Sequence, residues 1–469
     1  MYEKVGFEFL SITDFILLPF FLFLIYYFGK MKKNKNIAQY PEFKYYFPGL
    51  IVKVIGAISV SMVYIAYYGG GDTTNYYIDA ICWNRLMFSN PAGFYTVFTE
   101  GTNINNYFYF TPETGYPIYW RGGGTILVVR FAFLVTLISF QSFLVATILF
   151  AWFSYMGVWR LYKVFLSEFP MLSREMAIAI LFIPSVFFWG SGMLKDTVTF
   201  SAAGFFTFNF YMLFIKRKQI FYHAIGLVIS AYVILQIKPY ILFGFLPGCL
   251  LWLTNNIITR FGGSLTRAVA TPVFILIAAT TGYFLLNNLS DQLGDYSLER
   301  VLDKAVVTQS DLKADYYHGN FFDLGDIEPT IPSMLSKAHL AINAALFRPW
   351  LWECKNPVMY LSGIENFILL IFTIIILIRL KIIGIFKYFI KHHLLTFALV
   401  FSLFFAFSVG ISTPNFGSMV RYRIPILPFF VASLFIIRYY HNLEVAQRKY
   451  YTDVELGNVE PPDNLQPAV

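Results

Sequence analysis

Residues 48–68 read Pro48-Gly49-Leu50-Ile51-Val52-Lys53-Val54-Ile55-Gly56-Ala57-Ile58-Ser59-Val60-Ser61-Met62-Val63-Tyr64-Ile65-Ala66-Tyr67-Tyr68. They are followed by Gly69-Gly70-Gly71-Asp72-Thr73-Thr74-Asn75-Tyr76-Tyr77. The first stretch is apolar over the roughly 20 residues that a helix needs to cross a bilayer, with Lys53 as its one charge. The second is a glycine run that leads to an acid. A carboxylate on glycine-loosened backbone at a membrane exit has access to water and to a lipid-borne substrate.

The rest of the chain follows the same pattern. Of 469 residues, 57% are hydrophobic and 13% charged, where a soluble chain carries about twice that charged fraction. Apolar runs recur, and the short alternating strands of a membrane barrel do not. The reading is an all-α polytopic membrane protein with about eleven spans, near 11–29, 48–68, 142–162, 175–190, 197–215, 220–237, 240–258, 267–286, 358–379, 393–411 and 425–440. Residues 1–440 form one transmembrane domain. Residues 441–469 form a cytoplasmic tail, polar and proline-bearing beyond Tyr451 and read as disordered. The first apolar run lacks a cleavage site and is read as a retained helix.

Lysine and arginine fix the orientation. Lys30 to Lys35, Arg160, Lys163, Lys216 to Lys218, Arg260, Arg267, Arg379 to Lys391 and Arg438 to Lys449 fall on one side, which is therefore cytoplasmic. Lys53 is expected to snorkel to that side. The N-terminus is then outside and the C-terminus inside. The net charge of +8 is loop charge, with no nucleic-acid partner implied. Thr125 to Ser139, short and carrying Arg130, reads as an interfacial or re-entrant helix, because a crossing there would invert the pattern. Two long loops fall outside: 69–124, with amphipathic helices lying on the membrane, and 287–356, which resembles a small soluble insert and carries an acid-rich run from Asp291 to Asp303 and a second patch of Asp323, Asp326 and Glu328. Cys82, Cys249 and Cys354 have no metal-ligand or disulfide spacing. The pair His392-His393 reads as the polar end of a helix.

The charges at outer span ends are the candidates for chemistry. Asp72 follows the second span, and Asp79 stands about two helical turns further on. Lys195 and Asp196 sit in Trp189-Gly190-Ser191-Gly192-Met193-Leu194-Lys195-Asp196. Lys238-Pro239-Tyr240 is the next outer turn. Arg348-Pro349-Trp350 and Glu353 precede the ninth span, and Glu365 lies inside it. Arg421 and Arg423 stand in Arg421-Tyr422-Arg423-Ile424-Pro425 before the last span. Five cations where the charge bias predicts few require anions, and a phosphate or diphosphate is as direct a partner as Asp196, Glu353 or Glu365.

The Gly-Asp-x-x-x-Tyr context of Asp72, the Trp-Gly-Ser-Gly-x-x-Lys-Asp turn, the Lys-Pro-Tyr turn and the final Arg-Tyr-Arg-x-Pro are spread over most of the chain. Together they resemble the GT-C glycosyltransferases and the related EpsG- or Wzy-like polysaccharide polymerases of bacteria. The resemblance implies sugar transfer from or onto a polyprenyl-phosphate carrier at the extracytoplasmic face of the cytoplasmic membrane. Asp72 would act as general base. Lys195, Lys238, Arg348, Arg421 and Arg423 would hold the phosphate. Asp79, Asp196, Glu353, Glu365 and Tyr76 would support them, and Tyr76, Tyr77, Trp120 and Trp350 would stack on sugars. The partners are a polyprenyl-linked sugar donor, a saccharide or lipid-linked acceptor and membrane lipids. No cofactor is called for, with a divalent metal an open alternative. A transporter or flippase for a lipid-linked saccharide is the second reading and should show spans broken at mid-membrane. An extracytoplasmic acyltransferase, the third, lacks a histidine–acid pair.

Overall fold

The computed structural model describes residues 3–4, 7–120, 122–261, 300–313 and 320–456, and the structural statements below concern those residues. A two-residue hairpin, β1 (Glu3–Lys4) with β2 (Phe7–Glu8), precedes the helices. The first half holds α1 (Ile12–Ile37), α2 (Tyr46–Met62, continued by a π-turn Val63–Tyr67), α3 (Asp72–Ser89), α4 (Pro91–Glu100), α5 (Gly123–Ile138) and α6 (Phe143–Glu168). Next come α7 (Ser173–Leu181), α8 (Pro184–Trp189), α9 (Lys195–Phe210, continued by a π-turn Tyr211–Lys216), α10 (Ile220–Ile237) and α11 (Pro239–Phe261). The second half holds α12 (Val301–Asp311), α13 (Ile331–Ser336), α14 (Ala338–Phe347), α15 (Pro357–Lys391), α16 (His393–Ser412), α17 (Phe416–Tyr422) and α18 (Ile426–Glu455).

Among the described residues, eight helices are long and apolar enough to cross a membrane: α1, Pro41–Tyr67, α6, Lys195–Lys216, α10, Pro357–Leu380, α16 and Ile426–Val454. The protein is thus an all-α, multi-pass membrane protein, and eight of the eleven expected spans fall on these helices. The expected span 175–190 is two short helices, α7 and α8, because Pro184 disfavours helical backbone at Ile183 and has no N–H to offer. The span at 240–258 falls on α11, a helix of 23 residues, of which the apolar stretch Pro239–Thr254 has described side chains. Residues 267–286 lie outside the described residues, as does most of the acidic run from Asp291. The tail is corrected in part: α18 continues to Glu455, and residues 457–469 lie outside the description.

Side-chain ties show which helix ends lie together. Asp14, in the capping box that starts α1, accepts from Ser142 Oγ at 2.6 Å and from Leu144 N at 2.9 Å, joining the starts of α1 and α6. Tyr77 donates to Gln141 O at 2.6 Å, adding α3 to that end. Lys216 and Glu168 meet at 3.1 Å and Lys387 and Glu444 at 2.7 Å at the opposite end. Helix α5 begins against Gln236, at the end of α10, and ends in the turn before α6, so both its ends lie at the Asp14 end and it does not cross. Its Arg130 donates to Phe98 O at 2.9 Å and Thr99 O at 2.8 Å, filling the open carbonyls at the end of α4.

The expectation for Lys53 is overturned. It is 4% exposed and donates to Gly190 O, with Ser191 Oγ at 3.5 Å. The carbonyl end of α8 is buried inside the bundle, and a lysine turned inward supplies it with both donor and charge.

Helices α6 and α9 touch backbone to backbone: a Cβ on Gly157 would stand 2.1 Å from Ser201 O, and one on Gly204 2.2 Å from Gly157 O. Small residues of this kind set close crossings in membranes. Gly157→Val is expected to force the pair apart and lower stability by about 1–3 kcal/mol. Thermal unfolding in detergent measures it, and an unchanged midpoint would remove this contact as a determinant of the fold.

Candidate active site

Three glycines place Asp72. Gly69, Gly70 and Gly71 have φ of 67°, 124° and 149°, and a Cβ on Gly71 would stand 2.6 Å from the Tyr64 ring. The backbone therefore turns tightly over Tyr64 and delivers Asp72 as the first residue of α3. Thr74 closes the turn, its Oγ1 accepting from Gly71 N and donating to Gly71 O, both at 2.9 Å. Asp196 is the second residue of α9. Each acid thus stands in the first turn of a helix, where the aligned peptide dipoles favour negative charge.

Arg421, near the end of α17, joins the two. Its Nη2 lies 2.7 Å from Asp72 Oδ2 and 3.1 Å from Asp196 Oδ2, its Nε 3.3 Å from Asp196 Oδ2, and its Nη1 3.1 Å from the Tyr64 hydroxyl. Lys238 Nζ meets the other Asp196 oxygen at 2.5 Å and lies 4.3 Å from the centre of the Tyr422 ring. Burial works against the Arg421 charge, but Asp196, Tyr64 and Asp72 outweigh it and hold the guanidinium above its ordinary range. Lys195, adjacent to Asp196, makes no ion pair among the described residues. By formal charge, Asp72 and Asp196 stand against Arg421, Lys238 and Lys195, a sum of one positive charge.

Asp79 acts at one remove. It is buried and accepts from Ile118 N at 2.6 Å and Tyr119 N at 3.0 Å, and Tyr119 donates its hydroxyl to Asp72 Oδ1 at 3.0 Å. Burial pushes the Asp79 carboxyl up to about 8, the two backbone donors pulling against it. Burial, then the Asp72 charge, raises the Tyr119 phenol, so it stays a donor to Asp72. Tyr76 packs its ring on Tyr119, centroids 4.9 Å apart.

A cavity of about 470 Å³ opens beside Arg421, within the range of small-molecule sites. One wall is aromatic: Tyr64, Tyr67, Tyr68 and Trp189. Another carries the amides of Asn320, Asn356 and Asn415, and Asn320 Oδ1 is buried with no hydrogen-bond partner. The segment bearing Asn320 is held by Phe322 N to Pro414 O at 3.1 Å and Phe416 N to Asn320 O at 2.9 Å. A guanidinium, tyrosine faces and an unpaired amide oxygen around one space suit an anion joined to a polyhydroxylated group.

No family model, curated protein or solved structure matches this chain.

The remaining site candidates form a separate group. Arg348 pairs with Glu353, Nε to Oε2 at 3.1 Å, and its guanidinium stands over the rings of Phe322 and Phe416. Arg423 is wholly buried, donating to Arg348 O at 3.2 Å and Asn366 Oδ1 at 2.6 Å, with Glu365 at 3.9 Å. Glu365 caps the start of α8, accepting from Ser185 N at 2.7 Å and Ser185 Oγ at 2.5 Å. These four are engaged with protein partners, and Arg348 and Arg423 do not reach the Asp72–Arg421 cluster. The aromatic wall also differs from expectation: Tyr77 is buried against α6, and Trp350 stacks on Trp352, centroids 5.4 Å apart. Tyr64, Tyr67 and Tyr68 take their place, and their signal was the tyrosine run just before the glycines. Among the described residues no three His, Cys, Asp or Glu side chains converge as metal ligands.

Proposed function

We propose that this protein is a membrane glycosyltransferase or polysaccharide polymerase acting on polyprenyl-phosphate- or diphosphate-linked sugars at the extracytoplasmic face of a bacterial cytoplasmic membrane. The reading is carried by Arg421, held between two carboxylates at the edge of an aromatic cavity. An incoming phosphate competes with Asp72 for the guanidinium, and the released Asp72 becomes free to take a proton. The acceptor hydroxyl oxygen then attacks the anomeric carbon. The bond from that carbon to the phosphate oxygen breaks, its electron pair leaves with the phosphate, and Asp72 receives the hydroxyl proton. Arg421 and Lys195 stabilise the charge that grows on the leaving group, and Lys238 keeps Asp196 in place.

A second space supports a lipid substrate. An apolar groove of about 730 Å³ runs between α5, α6, α9 and α10, and Leu134, Ile138, Phe153 and Ile229 are exposed along it. Val198, Ala202 and Phe205 line it from α9, and Lys195 stands on the same helical face one turn above Val198. A prenyl tail in the groove would bring its phosphate to Lys195. Lys195→Gln is expected to raise the KM for the lipid-linked donor about tenfold, the loss of one charge-assisted hydrogen bond. Initial rates in nanodiscs measure it, and an unchanged KM would separate groove and site.

The test of the function is purified protein in nanodiscs with a radiolabelled polyprenyl-diphosphate oligosaccharide. Longer labelled saccharides together with free polyprenyl diphosphate are expected. A transporter is the second reading, favoured by the broken α7–α8 segment and the buried Lys53 beside it. In sealed vesicles it would move the label between leaflets without lengthening it, and that outcome would replace the transferase.

A further inference from the structure

At the opposite end of the bundle from Asp72 lies a polar cavity of about 430 Å³. It is bounded by the end of α6, the π-turn after α9, α11 and the junction of α15 with α16, through Glu168, Lys216, Trp252, Lys391, His392 and His393. Its one acid among the described residues, Glu168, is already engaged: Lys216 lies 3.1 Å away, and the Tyr211 hydroxyl donates to it. Lys391 has no ion pair among the described residues. Two imidazole nitrogens, His392 Nε2 and His393 Nδ1, are buried without any hydrogen-bond partner. Polar atoms in that condition are rare in folded proteins and call for an explanation. The His392 ring is fixed in place, stacked on Tyr440 with centroids 3.9 Å apart. Helix α16 starts at His393, and its N-cap supplies no side-chain bond to the first-turn amides.

We propose that this cavity binds a phosphate-bearing ligand, a phosphomonoester or a diphosphate, at a site distinct from the Asp72 centre. Lys216 and Lys391 supply positive charge, each imidazole offers a ring N–H in the tautomer that places the proton on its unpaired nitrogen, and the open start of α16 adds partial positive charge. A cation fits poorly: two ammonium groups repel it, and the one carboxylate is held by two donors. The cavity is several times larger than a phosphate group, so the ligand has further atoms attached. A soluble phosphorylated molecule and the headgroup of an anionic lipid both carry this chemistry. The site stands independently of the reaction proposed for the other end.

The test uses the full chain in nanodiscs and reads binding, not activity. In neutral phosphatidylcholine discs, inorganic diphosphate is titrated while thermal unfolding is followed. In discs containing phosphatidylglycerol without added phosphate, native mass spectrometry looks for a retained lipid. A saturable rise in midpoint identifies the soluble source, and retained anionic lipid identifies the headgroup. In either arm Lys391→Gln and His393→Gln are each expected to weaken binding about tenfold. Lys391 is exposed, so its variant should keep the unliganded midpoint of the parent and test the site even if the His393 variant does not fold. Binding that survives Lys391→Gln undiminished places the ligand elsewhere, at Arg421 for instance, and overturns the proposal. So does the absence of a response in both arms.

Discussion

Cells carrying Asp72→Asn in place of the parent protein are expected to make no detectable chain-length ladder, although the variant folds and inserts normally. The geometry separates the two effects. Asp72 is 39% exposed, and an asparagine oxygen still accepts from Arg421 or Tyr119, while Arg421 keeps Asp196 at 3.1 Å. Stability should therefore change by less than about 1 kcal/mol, the scale of a partly exposed ion pair. Chemistry is different: an amide takes no proton, and loss of a general base costs about 10²–10⁴ in rate. Polysaccharide gels and thermal unfolding of the purified variant provide the two readouts. A normal ladder would remove Asp72 from the mechanism.

Asp196→Asn should act the other way, on the fold before the chemistry. Asp196 is 2% exposed and faces Lys238, itself 7% exposed, at 2.5 Å, with Arg421 on its other oxygen. Without that carboxylate, Lys238 is a buried cation with no anion in contact, and the expected loss is about 3–5 kcal/mol. The double variant Asp196→Asn/Lys238→Met removes the stranded charge and should recover most of that stability without recovering product. Midpoints of the single and double variants in detergent decide it. If the double variant is no more stable than Asp196→Asn alone, the Lys238 charge is not what the acid compensates.

The sequence carried the membrane class and the grouping of several charges at span ends, because hydropathy reports where apolar runs stop. That was enough to bring Asp72, Lys195, Asp196, Lys238 and Arg421 to one end, where they meet. It was not enough to say where around the bundle axis a residue stands. Arg348, Arg423, Glu353 and Glu365 share that end and form a different group, which only helix packing reveals. The same blindness affected Lys53: hydropathy counts a lysine in a span without saying whether it turns to the headgroups or to the carbonyl end of α8. Tyr119 was missed because its role depends on Asp79 holding backbone 39 and 40 residues away. The break at Pro184 was legible as a proline and went unread because the run around it is apolar throughout.

Two helices start at the Asp72–Asp196 pair, and this bears on which molecules the cavity admits. Each helix start presents about half a unit of positive charge from its peptide groups, and the side-chain cluster adds a formal sum of one positive charge. When an anion displaces Asp72 from Arg421, it enters a field that grows with its own valence. A diphosphate should therefore be selected over a monophosphate, and both over an uncharged glycan of the same shape. High salt should narrow that ranking without altering the fit of the sugar. Discrimination by charge number, independent of sugar identity, would let one such protein serve several saccharides on a common carrier.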